Sequence, residues 1–570
     1  MIVDFRLYRA AFIPALLAAV TMMFSLQGIP PAVEPAVPTS GFESGPAMAI
    51  ARDIVATAGD RTPGSEGDDR VADLVADRFG AIEAGTPSEQ QFDATFDGDD
   101  VTLRNVLLTL PGETDDTIVV LAARDSVEDP GAASSAAATG VLVQLAEVLG
   151  VAGHSKTYVL ASTSGASEGA AGARKLVDGL AGAGDVDAVV VISQPGAAEP
   201  TQPFVVTTAT GAESGSAQLR QTAERAVETQ TGATPSRTGA FGQLARLAIP
   251  SGLGEQAPLI EMDVDAVAIS SAGERPLAAG RDQAEDVSGE TVSSFGRATQ
   301  SLVQALDAAS TPLDEGPPRH LEVGGNLVPG WTLSLLALGL LLPAIVAAVD
   351  AATRALRRSE PLAAGLASAA ALALPLLGGL ALLYLLSFVG VVPRPEFPFD
   401  PALFEIGGAA IAAAVLVCGA IVATAALVRA RSRAIVPSDA AVAGLGLTAV
   451  GAGVLVWLAN PFLALLVSPT VHVWLLATRA PGLRAGATAA AAAVASLVPA
   501  VAALGHVVAS LDLGAGAPWI LAIMVADGQI GFWTMLALCF LAGSLAGAVI
   551  ASTSGRKSDA GNAATGRSIR

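Results

Sequence analysis

"VVLAARDSVEDPGAASSAAATGV", residues 119–141, sets the frame for the chain. An apolar run stops at a polar turn, a Pro-Gly pair follows, and a small-residue segment begins with the composition of a helix start. Such a run, bounded by turn residues, reads as a buried strand, so the whole is a strand–turn–helix unit. The alternation continues on both sides. Strand-like runs lie at 101–110, 117–123, 157–163, 187–193, 203–209 and 264–270, and helix-like ones at 66–80, 133–149, 166–182, 212–230 and 289–309. Several strands are apolar on both faces, which suits a sheet buried between helix layers. The expectation is an α/β three-layer sandwich over residues 45–310, with a mixed, mostly parallel sheet. Ligands of such sheets bind at the carboxyl ends of the strands, here loops 123–135, 164–169 and 194–199.

The rest of the chain is of another kind. The 570 residues are 52% hydrophobic with a net charge of −21, and the mean hydropathy is +0.55. Residues 29–325 hold 43 acidic and 17 basic side chains, and the remainder is slightly basic. An acidic domain repels nucleic acid, whose binding depends on Lys and Arg at phosphates. Both cysteines, Cys418 and Cys539, lie in apolar segments, so no disulfide can tie the acidic region.

A membrane span needs about 20 apolar residues. Candidates lie at about 10–27, 331–349, 362–391, 407–428, 440–459, 462–478, 486–509 and 530–552. Residues 518–528 are too short to cross. Basic clusters at 354–358, 429–433, Arg479, Arg484 and 555–557 all fall on one side if the N-terminus is inside. The expected plan is an uncleaved signal-anchor helix at 1–28, a Pro-rich linker at 29–44 and the extracytoplasmic domain at 45–310. A linker at 311–330, a seven-span domain at 331–553 and a cytoplasmic tail at 554–570 follow. The protein is expected in the plasma membrane, multi-pass, with both termini cytoplasmic. His472, His506 and Asp527 could face one another in a proton or substrate path, an alternative in which the bundle acts as a transporter.

"RTPGSEGDDRVADLVADRFG" (61–80), "RNVLLTLPG" (104–112) and "ARDSVEDPGA" (123–132), with the helix and strand that follow, resemble the zinc-dependent aminopeptidase family that includes glutamate carboxypeptidase and the transferrin receptor. The resemblance covers roughly residues 45–310, and membrane-anchored relatives with several spans after this domain share the plan. It implies a two-zinc hydrolase, which needs imidazoles, bridging and terminal carboxylates and a Glu base. The chain departs from that pattern at each position. Ala123 stands for the first His, before Arg124 and Asp125. Ser134 and Ser135 stand for the bridging Asp, and the next carboxylate is Glu147. Ala166 and Ser167 stand for the Glu pair, Gln194 for the following Asp, and no His lies near 269–276. Glu168 is a lone carboxylate nearby. Asp125 is expected to pair with Arg124 or to cap the turn. The implied outcome is a degenerate site at Ala123, Asp125, Ser134, Ala166, Ser167 and Gln194, with no metal and no cofactor.

"GASEG" (165–169) also matches a nucleophile elbow with Ser167 as nucleophile. It would need a nearby His. His154 precedes a strand at the wrong end, and His320 lies in the exit linker. No phosphate loop or dinucleotide fingerprint is present. The reading is therefore a silent peptidase-like domain that binds a peptide or protein outside the cell or scaffolds a membrane complex. An active membrane-bound peptidase of this family is the other alternative. The partners expected are that ligand and the lipid bilayer, without nucleic acid.

Overall fold

The computed structural model describes residues 3–36, 41–127, 129–180, 186–431 and 438–553. The tail 554–570 and part of the 429–433 cluster lie outside the described residues. In chain order, α1 (Phe5–Ala10) and α2 (Ile13–Phe24) form the first apolar helix, and β1 (Gln27–Gly28) follows. The α/β domain starts with α3 (Ser44–Thr57), α4 (Glu66–Gly80) and the hairpin β2 (Thr86–Phe96) and β3 (Asp99–Leu110). Then come β4 (Thr117–Ala123), a π turn at Ala132–Ala136, α5 (Ala137–Leu149), β5 (Thr157–Thr163), α6 (Ala171–Leu180), β6 (Val186–Ser193) and β7 (Val205–Val206). It ends with α7 (Ala217–Thr231), α8 (Ala240–Ala248), α9 (Gln256–Glu261), β8 (Ala266–Ser270) and α10 (Gly289–Ala308).

Seven strands form one mixed sheet in the order β2-β3-β5-β4-β6-β8-β7. The central strands β5, β4, β6 and β8 are parallel, and β2, β3 and β7 run antiparallel to their neighbours. Successive side chains of a strand point to opposite faces, and β4 is apolar on both. Ile118, Val120 and Ala122 pack under α3, α4, α5, α7 and α10. Val119 and Leu121 pack on the other face with α6 and α9. The three-layer sandwich expected from the sequence is the architecture present. Sequence capping also works as chemistry requires: the Ser65 side chain accepts from the Asp68 N–H at the start of α4, whose first turn is acidic and whose last carries Arg78.

Three differences have physical causes. The strand β2 was not foreseen because its first half, residues 86–91, is polar and only Phe92, Ala94 and Phe96 mark an apolar face, as an open edge tolerates. The 203–209 run yields only two strand residues, since Thr208 turns away to bridge Ser214. The exit linker is not plain coil. β9 (His320–Val323) and β10 (Asn326–Pro329) form a hairpin on which β1 adds a third strand, so the first apolar helix is tied to the exit of the α/β domain.

The second half contains α11 (Gly330–Arg357), α12 (Ala363–Phe388), α13 (Gly408–Arg431), α14 (Asp439–Ala459), α15 (Pro461–Val471), α16 (Leu483–Ser510), α17 (Ala517–Asp527) and α18 (Phe532–Thr553). Among the described residues nine helical segments are long and apolar enough to cross a membrane. One of them, Ala132–Leu149, is 83% buried against the sheet. The other eight match the expected spans, and α17 is too short, as expected. Arg357, Arg479 and Arg484 lie at the ends away from the α/β domain, where Arg358 also pairs with Asp439 at 3.5 Å.

The α/β domain is seated on these helices rather than tethered to them by linkers alone. Ala245, Leu247 and Ala248 of α8, with Leu253, belong to one buried cluster with Phe462, Ala503, Val507 and Leu511 of the helical half. Asn460 donates to the Leu247 carbonyl at 2.9 Å, and Gln529 to the Thr210 carbonyl at 2.5 Å.

Candidate functional site

The six positions named from the sequence meet in one place. Ala123, Asp125, Ser134, Ala166, Ser167 and Gln194 line a single crevice of about 160 Å³ at the carboxyl ends of the parallel strands. The turn "DPGA" positions one wall. Gly131 has φ +51°, and a Cβ there would stand 2.5 Å from both the Ser126 and Ser135 hydroxyls, so only glycine fits. Below it, Arg61 is fully buried and spends its guanidinium on the Arg124 and Ala58 carbonyls and the Ser135 hydroxyl at 2.7–2.8 Å.

Arg124 does not pair with Asp125. It lies buried against Asp68, Nε to Oδ1 at 2.7 Å, and donates to the Ser162 and Arg104 carbonyls. Asp125 takes the capping role instead. Its Oδ1 accepts from the Gly165 and Ala166 N–H groups at 3.1 Å, and its Oδ2 from the Ser167 N–H at 3.1 Å and hydroxyl at 2.6 Å. A carboxylate offers about four lone-pair sites, and all four are taken.

Sequence reasoning missed a second acid, Asp282. It accepts from the Ala133 and Ser134 N–H groups at 2.6 and 3.1 Å and from the Ser134 hydroxyl. It thereby caps the π turn before α5, and burial pushes its carboxyl above the usual range. Glu255, also missed, is buried beside Asp125 and accepts from the Thr163 hydroxyl at 2.6 Å. Burial pushes its carboxyl up to about 8, so it is largely neutral at pH 7. Asp129 holds the Ser126 hydroxyl and the Gly131 N–H. Gln194, with φ +50°, bridges to the next loop through the Arg275 carbonyl and the Leu277 N–H. Asp282 and Glu255 come from loops far apart in sequence and sit in no motif.

The residues present do not fit a zinc pair. Among the described residues no group of three or more His, Cys, Asp or Glu side chains is placed to hold a metal ion. The two acids best placed, Asp125 and Asp282, have turned their lone pairs onto backbone N–H groups. The serine route fares no better. Ser167 donates to Asp125, and the crevice lining contains no histidine. His154 stacks on Tyr158 with ring centroids 4.3 Å apart, and His320 is buried in β9 with Nδ1 2.8 Å from the Pro317 carbonyl.

The three polar groups of the helical half do not converge either. His472 Nε2 lies 2.9 Å from the Leu340 carbonyl, which can only accept, so Nδ1 receives the Tyr8 hydroxyl at 3.1 Å. His506 lies against Gly242 of α8, and Asp527 lies near Glu168, Glu396 and Arg394. A second cavity of about 190 Å³ runs along this seam. Its charges pair with each other, Arg220 with Glu224 and Glu322, and Arg246 with Glu274.

One wall of the crevice belongs to the helical half. Pro398, Phe399, Asp400 and Leu403, from the segment between α12 and α13, face the six positions across the opening.

No family model matches the chain, and no curated protein matches it. Solved structures do. The chain is similar to a glutaminyl cyclase from an Acidobacteriales bacterium, at 15% identity and a TM-score of 0.39, covering 48% of this chain and 97% of that one. It is similar to a zinc aminopeptidase from Bacillus subtilis at 12% identity and a TM-score of 0.40, covering 47% and 95%. A leucine aminopeptidase precursor from Bacteroides thetaiotaomicron gives 12% identity and a TM-score of 0.40, covering 47% and 99%.

Proposed function

We propose that this is a multi-pass membrane protein whose peptidase-like outer domain binds a peptide or protein segment outside the cell without metal and without turnover. The observation that carries the reading is the hydrogen bonding of Asp125. Four donors saturate a carboxylate that no longer has a histidine to orient, while a crevice of about 160 Å³ persists around it. The shape of a substrate site is kept and its reactive groups are replaced by Ala123, Ser134, Ala166 and Gln194. A neutral Glu255 and the Ser167 hydroxyl provide hydrogen bonding without an activated nucleophile.

The test is direct. Full-length protein purified in detergent should carry far less than one zinc per chain, gain no thermal stability from added zinc and release no amino acid from peptide amides. Peptides selected by display on the intact protein should bind saturably and lose binding when Ala166→Trp fills the crevice. Stoichiometric zinc, or hydrolysis that a chelator stops, defeats the reading.

A further inference from the structure

The segment between α12 and α13 touches the crevice in the way a bound peptide would. Residues 394–404 read "RPEFPFDPALF". The backbone of Phe399 bridges Glu168 in antiparallel fashion. The Gly169 N–H donates to the Glu396 and Pro398 carbonyls at 3.0 and 2.7 Å, and the Asp400 N–H donates to the Ser167 carbonyl at 3.0 Å. Glu168 returns the contact by accepting the Glu396 N–H at 2.9 Å. Arg174 pairs with Glu396 and donates to the Phe397 carbonyl at 2.9 Å. Gly169 makes this approach possible. Its φ is +72°, and a Cβ would come within 3.0 Å of the Glu396 carboxylate.

The segment is anchored, not draped. Phe397 and Phe399 are 7% and 2% exposed, and their rings meet edge to face, Phe397 on Phe399 at 5.6 Å and Phe399 on Phe404 at 5.0 Å. Both belong to the buried cluster of the helical half. Arg394 donates to the Ser387 hydroxyl at the end of α12. With the segment in place the crevice measures about 160 Å³, below the ~300–1,000 Å³ usual for ligand pockets. An extended peptide therefore cannot share the crevice with it. The segment also cannot leave without disturbing α12 and α13. The latter packs chiefly on α12 and has only 6% of its apolar window buried, so this helix pair sits at the edge of the bundle.

We propose that residues 394–404 are a built-in peptide occupant and lid of the crevice, so that an extended peptide enters by taking over the Ser167 and Gly169 backbone contacts and displaces the α12–α13 pair. This rests on the crevice being a peptide site. Its chemistry follows from the resident segment: an extended, Pro- and Phe-rich stretch with an acidic residue that can meet Arg174.

The experiment uses full-length protein in detergent with Cys418→Ala and Cys539→Ala, and Ala166→Cys as a reporter inside the crevice. Maleimide labelling of that thiol should be slow. Arg174→Ala, which removes the charge-assisted contacts to Glu396 and Phe397, should speed it about tenfold or more. Phe399→Ser, which loosens the anchor instead, should do the same and guards against a folding defect in either variant. Synthetic RPEFPFDPALF added to a loosened variant should slow labelling again, and a scrambled peptide should not. Labelling within twofold of the parent in both variants overturns the lid, and acceleration without protection by the peptide overturns the mimicry. Bound zinc or turnover defeats the non-catalytic reading of the crevice and leaves the labelling result standing, so the two failures are distinguishable.

Discussion

Asp125 and Ser167 lie 42 residues apart and are joined by a 2.6 Å hydrogen bond from hydroxyl to carboxylate, with the Ser167 N–H on the same oxygen. That pairing holds the loop after β5 against the loop after β4. Asp125→Ala should leave three N–H groups and a hydroxyl without their acceptor, at a cost of about 3 kcal/mol. Asp125→Asn should cost nearly as much, because its NH2 group faces another donor. Thermal unfolding in detergent checks both. A metal role predicts instead zinc bound to the parent and lost from both variants, with added zinc raising the melting temperature of the parent alone.

Glu255 sets a pH dependence. Its carboxyl ordinarily titrates at 4.5 and is pushed up to about 8 by burial. Between those values the folded state binds one proton more than the unfolded state, so stability falls as pH rises. The loss, at ~1.4 kcal/mol per pH unit, reaches about 5 kcal/mol by pH 8 and then levels. Below pH 4.5 this group has no effect. Glu255→Gln, which mimics the neutral form, should flatten the decline over pH 5–8. If the variant loses stability with pH as steeply as the parent, Glu255 is not the group responsible.

How much of this was legible follows from where each signal resides. β4 was legible because an apolar run between turn residues is a local pattern, and α4 because a helix-like run over 66–80 is one as well. The six crevice positions were legible through a resemblance carried by spaced motifs. Asp282 and Glu255 were not, since their role exists only where the chain brings loops at 133, 163 and 255 together. Asp125 was expected to meet Arg124 or cap the turn, and Asp68 decides the matter by taking the guanidinium at 2.7 Å. α8 was missed because its amphipathic pattern is strong but only nine residues long, too short to stand out between the flanking loops. The wall at 398–403 was invisible because it arrives from the other half of the chain.

The burial of α8 makes a prediction about dissection. Leu247 and Leu253 are 5% and 4% exposed and belong to the buried cluster shared with the helical half, where α8 packs on α15 and α16. An isolated fragment 29–329 should expose both, each forfeiting about 2 kcal/mol of burial, and should self-associate. Leu247→Lys with Leu253→Gln should make the fragment monomeric in light scattering, yet destabilise the full-length protein. A wild-type fragment that is monomeric would show that the seam is a loose contact.

The arginine-bearing helix ends and the outer domain lie at opposite ends of the eight apolar helices, and this gives a test of orientation. Val151 is 90% exposed on the outer domain, whereas Ser359 follows Arg358 at the far end of α11. Positively charged short loops remain on the cytoplasmic side. In a background lacking Cys418 and Cys539, Val151→Cys should react with a membrane-impermeant maleimide on intact cells. Ser359→Cys should react only after permeabilisation. The reverse pattern would put the crevice inside the cell, where an extracellular peptide could not reach Ser167 or Gly169. Equal labelling of both would mean that the apolar helices do not carry the chain across the bilayer in alternation.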